Sequence, residues 1–289
     1  MIQYLYLGRV DYAEALRLQA EFVNLRQQER VGNVLLLLEH PRVLTLGRNA
    51  NRSNILASDE LLRSRGVTLH EINRGGDVTY HGPGQLIGYP IFDLRSLRNP
   101  ATGSRLGPVD FVRLMEEVLI RVCGDYGVPA GRICKLTGVW CGLPAENTGA
   151  ACTAAPQATT QGRKIGAIGI HVARGVTSHG FAFNVTTNLR DFLLINPCGI
   201  TDRPVTSLEN EVAAPAGLPG LEAIAHQAAH HFGQVFDQPV VALESLVALR
   251  AQAAEAQSPD PAFPAEDTPL RVPAAIERLQ HKPENPVRA

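Results

Sequence analysis

The stretch R-G-G-D-V-T-Y-H-G-P-G, from Arg74 to Gly84, is the most informative part of this sequence. Four glycines and a proline surround a core of threonine, tyrosine and histidine at 79–81. Glycine permits positive φ and close backbone approach, so such a segment can bend tightly around a ligand. A connection that only joins two strands has no need of this polar and aromatic core. We interpret the stretch as a loop of a functional site, with an ordinary turn as the alternative.

The sequence around this loop alternates strand and helix patterns. The apolar runs 67–72 and 85–94 predict the strands that enter and leave the loop, and 33–39 predicts a buried strand. Asp11 is predicted to cap an amphipathic helix that ends near residue 29. Further predicted elements are a strand over 2–7, a short helix capped by Ser58, a helix over 108–126, strands over 164–172 and 180–186 joined by a turn, and helices near 221–235 and 241–254. This order predicts an α/β (α+β) fold, a mixed sheet backed by helices.

Two segments differ from the rest in composition. Residues 142–163 are small, polar and aperiodic, which predicts a flexible insertion between two strands. After residue 254, prolines recur without an apolar period. We therefore predict a single catalytic domain over 1–254 and a Pro-rich, disordered tail over 255–289.

Charge and hydropathy exclude several classes of partner. The formal net charge of −1 over 289 residues argues against nucleic acid, because such binders usually show a basic excess. No apolar run approaches the roughly 20 residues of a membrane span, and the first residues lack the pattern of a signal peptide. We predict a cytoplasmic protein without nucleic-acid or membrane partners.

The sequence offers one cysteine and one lysine with unusual settings. Five cysteines without framework or zinc-site spacing predict free thiols. Cys198 lies in I-N-P-C-G-I, a turn that would present its thiol, whereas packing in the core is the alternative for every cysteine. Lys164 opens K-I-G-A-I-G-I-H-V, and an ammonium near Cys198 would lower the pKa of the thiol. A solvated lysine at a strand end is the alternative.

The histidines are less specific signals. His81 is a candidate for orienting a substrate carbonyl or moving a proton, or a hydrogen-bonded loop histidine, and His179 is a candidate for the same cleft. His226 and His230 have the i, i+4 spacing of metal ligands, with Glu222 one turn earlier, although an ordinary solvated helix face is the favoured interpretation. The motif of a P-loop nucleotide site is absent from the sequence. We predict neither a metal nor a cofactor.

Five blocks of this sequence closely resemble the octanoyltransferases of lipoic acid synthesis, also called lipoyl(octanoyl) transferases. The blocks are R-G-G-D-V-T-Y-H-G-P-G-Q-L-I-G-Y-P, G-V-W, R-K-I-G-A-I-G-I, G-V-T-S-H-G-F-A-F-N-V and N-P-C-G-I, in the order of the family. The resemblance spans roughly residues 2–236. It implies the α/β fold that this family shares with biotin and lipoate protein ligases.

The resemblance implies the first step of endogenous protein lipoylation. An octanoyl group passes from octanoyl-acyl carrier protein to a specific lysine on lipoyl domains of 2-oxoacid dehydrogenase E2 subunits and on glycine-cleavage H protein. The reaction passes through a thioester on Cys198, and Lys164 lowers the pKa of that thiol. The implied substrate-binding residues are Arg74, Gly75, Gly76, Asp77, Val78, Thr79, Tyr80, His81, Ala167, Ile168, Gly169, Gly180, Phe181 and Ala182.

The sequence departs from the family pattern at three points. The insertion 142–163 is longer than usual, the tail is extra, and His171 stands where arginine is expected. The main alternative function is an ATP-dependent lipoate or biotin ligase on the same fold, which needs no cysteine nucleophile. A second alternative is an inactive relative that only binds carrier proteins or lipoyl domains. The N-P-C-G-I block favours the transferase.

Overall fold

The apolar run at 33–39 forms a central strand that is buried on both faces. A computed structural model describes residues 1–143, 162–196 and 203–256 of the chain. Leu35 and Leu37 enter a hydrophobic core on one side of this strand, while Val34 and Leu36 enter a second core on the other. Successive side chains of a strand point to opposite faces, so a continuous apolar run is what a strand between two layers requires.

Eleven strands form two sheets within the described residues. The strands are β1 (Ile2–Arg9), β2 (Asn33–Glu39), β3 (Val43–Leu46), β4 (Thr68–Glu71), β5 (Val78–His81), β6 (Gln85–Ile91), β7 (Ala130–Ile133), β8 (Leu136–Cys141), β9 (Arg163–Ala173), β10 (Val176–Asn184) and β11 (Val240–Ala242). The large sheet has the order β11-β1-β2-β6-β10-β9-β8-β7, and the small sheet has the order β4-β3-β5. In the large sheet β1 runs parallel to β2 and β11, and the other neighbours are antiparallel.

Helices cover both faces of the large sheet. The helices are α1 (Tyr12–Gln27), α2 (Asp59–Ser64), α3 (Pro108–Asp125), α4 (Leu208–Glu211), α5 (Leu221–Phe236) and α6 (Leu246–Glu255). The apolar sides of α3 and α5 pack on one face, and those of α1 and α6 pack on the other. The predicted fold, a mixed sheet backed by helices, is confirmed.

Local signals set the helix starts. The Asp11 carboxylate accepts hydrogen bonds from the N–H groups of Ala13 and Glu14, and the Ser58 hydroxyl accepts from Leu61 N–H. These side chains satisfy N–H groups that a first helical turn leaves without a partner. Both predicted caps are confirmed.

Three predicted boundaries are wrong for identifiable reasons. The turn after β9 is only Arg174 and Gly175, both with positive φ, as a two-residue hairpin turn requires, so β10 begins earlier than expected. The helix predicted from 241 begins at Leu246, because Val240–Ala242 instead pairs with β1 as an edge strand. Val78–His81, predicted as loop, pairs with β3.

Several predictions lie outside the described residues. Cys198 falls in 197–202, most of the predicted insertion falls in 144–161, and the predicted tail falls almost wholly in 257–289. Among the described cysteines, Cys123 and Cys141 are free, as predicted, and both are buried. Cys134 is disulfide-bonded, so the free thiol predicted there is wrong; it lies half-buried in the β7–β8 turn.

Within the described ranges, no helix has the length and apolarity needed to cross a membrane.

Close backbone contact between β6 and β10 yields a stability prediction. A Cβ on Gly180 would lie 2.1 Å from the carbonyl oxygen of Gly88 and 2.6 Å from Pro90 Cδ, so Gly180→Ala must push the two strands apart. We expect a loss of about 2 kcal/mol or more, in the range of core overpacking. Urea unfolding measures it.

The matched control is Gly124→Ala on the exposed side of α3. No atom lies within 4 Å of a Cβ built at Gly124, and alanine favours a helix over glycine by about 1 kcal/mol. This variant should be as stable as the parent or more so. Equal effects of the two substitutions would contradict the proposed contact.

Candidate active site

A cavity lies where the glycine-rich loop meets β5, β9, β10 and the start of α1. Its volume is about 530 Å³, including its open mouth. It is lined by Tyr12, Arg74, Gly75, Gly76, Thr79, His81, Tyr89, Lys164, Ala167, Ile168, Gly169, His179, Gly180, Phe181 and Ala182. Thus segments about 90 residues apart in sequence, 74–81 and 164–182, share one wall.

Strand alternation divides the predicted residues of β5 between two environments. Thr79 and His81 line the cavity, whereas Val78 and Tyr80 point to the core of the small sheet. The Tyr80 hydroxyl donates to the Asp191 carboxylate at 2.8 Å. Val78 and Tyr80, predicted to bind substrate, therefore support the strand rather than line the cavity.

Asp77 also lies outside the cavity lining. Its carboxylate accepts hydrogen bonds from the backbone N–H of Asn51 at 3.0 Å and from the side-chain amide of Asn54. It fixes the glycine-rich loop to the 51–54 segment. The other substrate-binding residues predicted from sequence are brought together around the cavity.

The glycine-rich loop docks directly on β9. Gly75 N–H donates to the carbonyl oxygen of Ile170 at 3.1 Å. A Cβ on Gly169 would lie 2.8 Å from the carbonyl oxygen of Gly75. Glycine at 169 thus admits another backbone, the close approach that glycine in a strand often signals.

Arg74 anchors the loop to the small sheet. One terminal nitrogen of its buried guanidinium donates to both the carbonyl and the hydroxyl oxygen of Thr45, each at 2.9 Å. The other terminal nitrogen donates to the carbonyl oxygen of Gly75 at 3.0 Å. A fixed positive charge therefore lies in the cavity wall.

Lys164 reaches the cavity from the start of β9. Its backbone N–H donates to the Pro204 carbonyl and its carbonyl accepts from Thr206 N–H, both at 2.9 Å. Its ammonium lies 5.1 Å from the ring centroid of Trp140, within the range of a cation–π contact. A Cβ on Gly138 would lie 2.7 Å from Lys164 Cε, so glycine leaves room for the lysine stem.

Burial keeps three histidines around the cavity neutral. Desolvation lowers the pKa of His40 to about 4, of His81 to about 3 and of His179 to about 4. The Arg74 guanidinium contributes to the lowered pKa of both His81 and His179. His179 Nε2 lies 2.7 Å from the Asn73 side-chain oxygen, and its backbone N–H donates to Gln19 at 2.7 Å.

Sequence reasoning missed an aromatic cluster in the wall of the cavity. Tyr12 lies against His40 and His81, with ring centroids 4.9 and 6.1 Å away. His40 Nε2 lies 2.7 Å from the Tyr89 hydroxyl, and its Nδ1 lies 2.7 Å from the Val10 carbonyl oxygen. Tyr12 lies in the helix predicted after Asp11, and no local pattern links it to residues about 70 positions away.

The helical histidines outside the cavity have ordinary partners. His226 Nδ1 lies 2.9 Å from the Tyr4 hydroxyl, and His230 contacts the Gln234 amide. Within the part of the chain that the structure describes, no cluster of three or more metal-ligating side chains is found. His171 pairs with Ser178 across the hairpin and lies near enough to His179 to influence its pKa.

The cavity combines an apolar wall with a few polar groups. Ala167, Ile168, Phe181 and Ala182 supply the apolar part, while Lys164, Arg74 and neutral histidines supply the polar part. This arrangement suits a substrate with an apolar chain and a reacting carbonyl.

Known proteins match the chain over most of its length. Residues 11–232 match the family model described as the lipoyl protein ligase A/B catalytic domain. The octanoyltransferase of Acidobacterium capsulatum is 55% identical over 245 residues, which cover 85% of this chain and 94% of that protein. The octanoyltransferase of Koribacter versatilis is 49% identical over 279 residues, covering 96% and 97%.

A solved structure supports the same fold. The bi-partite lipoate protein ligase of Thermoplasma acidophilum, from a study of an archaeal lipoylation system, matches with a TM-score of 0.60 at 16% identity. The match covers 88% of this chain and 91% of that one. The fold is therefore the catalytic fold of the lipoate protein ligases. Within that class, the chain belongs to the octanoyltransferase family, and it is an acyltransferase.

The neutral histidines predict a loss of stability in mild acid. Their folded pKa values of about 3 to 4 lie below the ordinary value of about 6.5. The unfolded chain therefore binds more protons as the pH falls, and stability falls from pH 6.5 downward by up to about 1.4 kcal/mol per pH unit for each histidine. Urea unfolding at pH 7.5, 6.0 and 5.0 measures this slope.

Two substitutions test whether the buried histidines cause this pH dependence of stability. His40→Gln should remove roughly a third of it, whereas His230→Gln, on the exposed side of α5, should leave it unchanged. A flat stability profile between pH 6.5 and 5 would show that the three rings are not held neutral.

Proposed function

We propose that the chain transfers an octanoyl group from octanoyl-acyl carrier protein to the ε-amino group of a specific lysine. The acceptors are lipoyl domains of 2-oxoacid dehydrogenase E2 subunits and glycine-cleavage H protein, and the reaction takes place in the cytoplasm. Cys198 is the nucleophile that carries the octanoyl group between donor and acceptor. The family membership carries this proposal, since the chain is 55% identical to an octanoyltransferase. The position of Lys164 in the lining of the cavity supports it.

Chain connectivity favours a meeting of Cys198 and Lys164. In sequence, Cys198 lies two residues after Asn196, whose N–H donates to the Asn54 carbonyl, and six residues before Pro204. Pro204 accepts the hydrogen bond from Lys164 N–H. The segment that contains the proposed nucleophile is therefore closely followed by residues fixed to the proposed lysine.

The first half-reaction forms the acyl-enzyme. The Cys198 thiolate attacks the thioester carbonyl carbon of the donor, a C–S bond to Cys198 forms, and the C–S bond to the donor thiol breaks. The leaving thiolate takes a proton as it departs. The Lys164 ammonium favours the thiolate form of Cys198, because a nearby positive charge stabilises the anion.

The second half-reaction forms the amide. The neutral amine of the acceptor lysine attacks the acyl carbon, a C–N bond forms, the C–S bond breaks, and Cys198 leaves as a thiolate. The attacking nitrogen loses one proton in this step. Exchange of a thioester for an amide is downhill, so no nucleotide is required.

The apolar wall suits the octanoyl chain. Ile168 and Phe181 lie side by side in the register of β9 and β10, as do Ala167 and Ala182. Each CH₂ group removed from water contributes about 0.8 kcal/mol to binding. A medium-length acyl chain therefore gains affinity from this wall, while its carbonyl remains near the polar groups.

The covalent intermediate is the first prediction of this proposal. Mixed with octanoyl-acyl carrier protein without ATP, the protein should gain one octanoyl group that hydroxylamine removes, as read by intact mass. Cys198→Ser should form no thioester and should lose transfer to a lipoyl domain. Cys123→Ala, which removes a buried thiol of the core, should keep both activities.

An ATP-dependent ligase would give the opposite result in this experiment. No adduct without ATP, with transfer only when octanoate and ATP are supplied, would overturn the transferase mechanism. Wild-type turnover by Cys198→Ser would overturn the role of Cys198 alone.

The second prediction concerns Lys164. Lys164→Met keeps an unbranched side chain one atom shorter than lysine and removes its charge, so the apparent pKa of the Cys198 thiol should rise by about 1–2 units. The rate of iodoacetamide alkylation of the Cys198 peptide, followed against pH by mass spectrometry, measures this shift.

Lys164→Arg is the charge-retaining control. It should keep the alkylation profile near that of the parent even if catalysis falls. If Lys164→Met and the parent give the same profile, the proposed effect of Lys164 on the thiol is refuted.

A further inference from the structure

A continuous series of buried hydrogen bonds joins His81 to the strand that carries Lys164. His81 Nδ1 lies 2.9 Å from Gln85 Oε1, and Gln85 Nε2 lies 2.9 Å from Asn184 Oδ1. Asn184 Nδ2 lies 2.9 Å from the carbonyl oxygen of Thr206, whose N–H donates to the Lys164 carbonyl. Gln85 and Asn184 are directly opposite each other in the register of β6 and β10.

Backbone carbonyl groups fix the direction of every bond in this series. The Thr206 carbonyl can only accept, so the Asn184 amide nitrogen must face it, and Asn184 Oδ1 must accept from Gln85. Gln85 Nε2 also donates to the carbonyl oxygen of Tyr80, at 3.3 Å. Gln85 Oε1 is therefore the atom that faces His81, and His81 Nδ1 must carry the proton.

The direction of these hydrogen bonds determines which ring nitrogen of His81 carries the proton and which has a free lone pair. A neutral imidazole with a proton on Nδ1 has a lone pair on Nε2. His81 lines the cavity, and among the described residues no hydrogen-bond partner is recorded for its Nε2. The cavity therefore contains a neutral acceptor whose ring orientation and tautomer are set by buried groups behind it.

The surroundings of His81 oppose its protonation. Burial and the neighbouring His40, Arg74 and His179 lower the pKa of His81. Tyr12 stacks on the ring, while Tyr89 and Lys164 line the same cavity. Arg74 and Lys164 also disfavour a further positive charge here, so the cavity favours a neutral amine over an ammonium.

We propose that Gln85 and Asn184 are positioning residues that hold His81 with its Nε2 lone pair toward the cavity. There Nε2 accepts a hydrogen bond from the attacking amine of the acceptor lysine, and the lone pair of that nitrogen points at the acyl carbon. This inference rests on the proposed function and adds a role in its second half-reaction. His81 accepts a hydrogen bond and no full proton, and the proton lost on amide formation goes to water.

The two half-reactions give the first test, because a residue that acts on the amine should affect only one of them. Gln85→Met removes both hydrogen-bonding atoms at similar length. In single turnover, octanoyl transfer from acyl-enzyme to a lipoyl domain should slow by about tenfold, the worth of one hydrogen bond near 1.4 kcal/mol. Acylation of Cys198 by the donor should stay within about threefold of the parent. Equal slowing of both steps would mean that Gln85 is only structural, and would overturn the proposal.

The pH dependence of the transfer rate distinguishes a positioning role from a simple loss of stability. Gln85→Glu places a carboxylate on His81 Nδ1, which favours the imidazolium and removes the Nε2 lone pair. The transfer step should then acquire a new loss of rate as the pH falls through about 6.5, the ordinary histidine value, and should recover at high pH. Both proteins lose rate at lower pH as the acceptor amine becomes protonated, and the parent should show no additional limb above pH 5.

The chain supplies a matched control away from the cavity. Gln234 Oε1 lies 3.1 Å from His231 Nδ1 on α5, the same pair of atoms in an exposed setting. Gln234→Glu should leave both half-reactions and their pH profiles unchanged. A new acid limb in both variants, or in neither, would overturn the role assigned to Gln85.

The tautomer can also be measured without any substitution. Long-range ¹⁵N–¹H spectra of the histidine-labelled protein should assign the proton of His81 to Nδ1 at pH 7. A proton on Nε2 would overturn the proposal even if every variant failed to fold. Absence of an acyl-enzyme in the parent would instead refute the proposed function and leave the tautomer result intact.

Discussion

The contact between the glycine-rich loop and β9 is the constraint on which the rest of the site depends. Gly75 N–H bonds to Ile170 and its carbonyl lies over Gly169, while Arg74 extends to Thr45 in the small sheet. Two sheets that share no ladder of hydrogen bonds within the described residues are thereby held at a fixed distance. The cavity is the space that remains between them, so its shape follows from backbone contacts more than from large side chains.

The same constraint explains why the amide groups behind His81 and the ring of His40 are hydrogen-bonded. A cavity between two sheets is largely removed from water, and a buried polar group without a partner costs more than a hydrogen bond gains. The amide side chains behind His81 therefore end on backbone carbonyls, and His40 is satisfied by Val10 and Tyr89. Burial also keeps the histidines uncharged, which leaves Arg74 and Lys164 as the fixed positive charges of the cavity lining within the described residues.

Much of the fold follows from local sequence patterns. Local signals identify several elements, because each signal lies within or next to its element. They are the continuous apolar run of β2 at 33–39, the caps Asp11 and Ser58 of α1 and α2, and the proline at the start of α3. Arg74 to His81 and Lys164 were likewise identified as candidates from local patterns, whereas 167–169 and 180–182 were identified from the resemblance to the family. The division of β5, with Val78 and Tyr80 turned away, required the pairing with β3. The contact between Gln85 and Asn184 depends on the register of two strands that are distant in sequence. The contact of Tyr12 with His81 depends on how a helix packs against a distant strand. No local sequence pattern encodes either contact. Whether Cys198 and Lys164 act together stays a prediction.

The pairing at the start of β9 also determines where residues can be inserted into the chain. Arg163 is the direct partner of Cys141, so the two ends of the connection between β8 and β9 are already neighbours in the sheet. The entropy cost of closing such a connection grows only slowly with its length. Residues can therefore be added between these strands without moving Lys164, and this chain carries a long connection there. One residue added inside β9 would instead shift Lys164 relative to Gly169 and turn alternate side chains to the opposite face. The contacts of Lys164 and Gly169 thus restrict the length of β9, while the pairing of Cys141 with Arg163 lets the number of residues between them change.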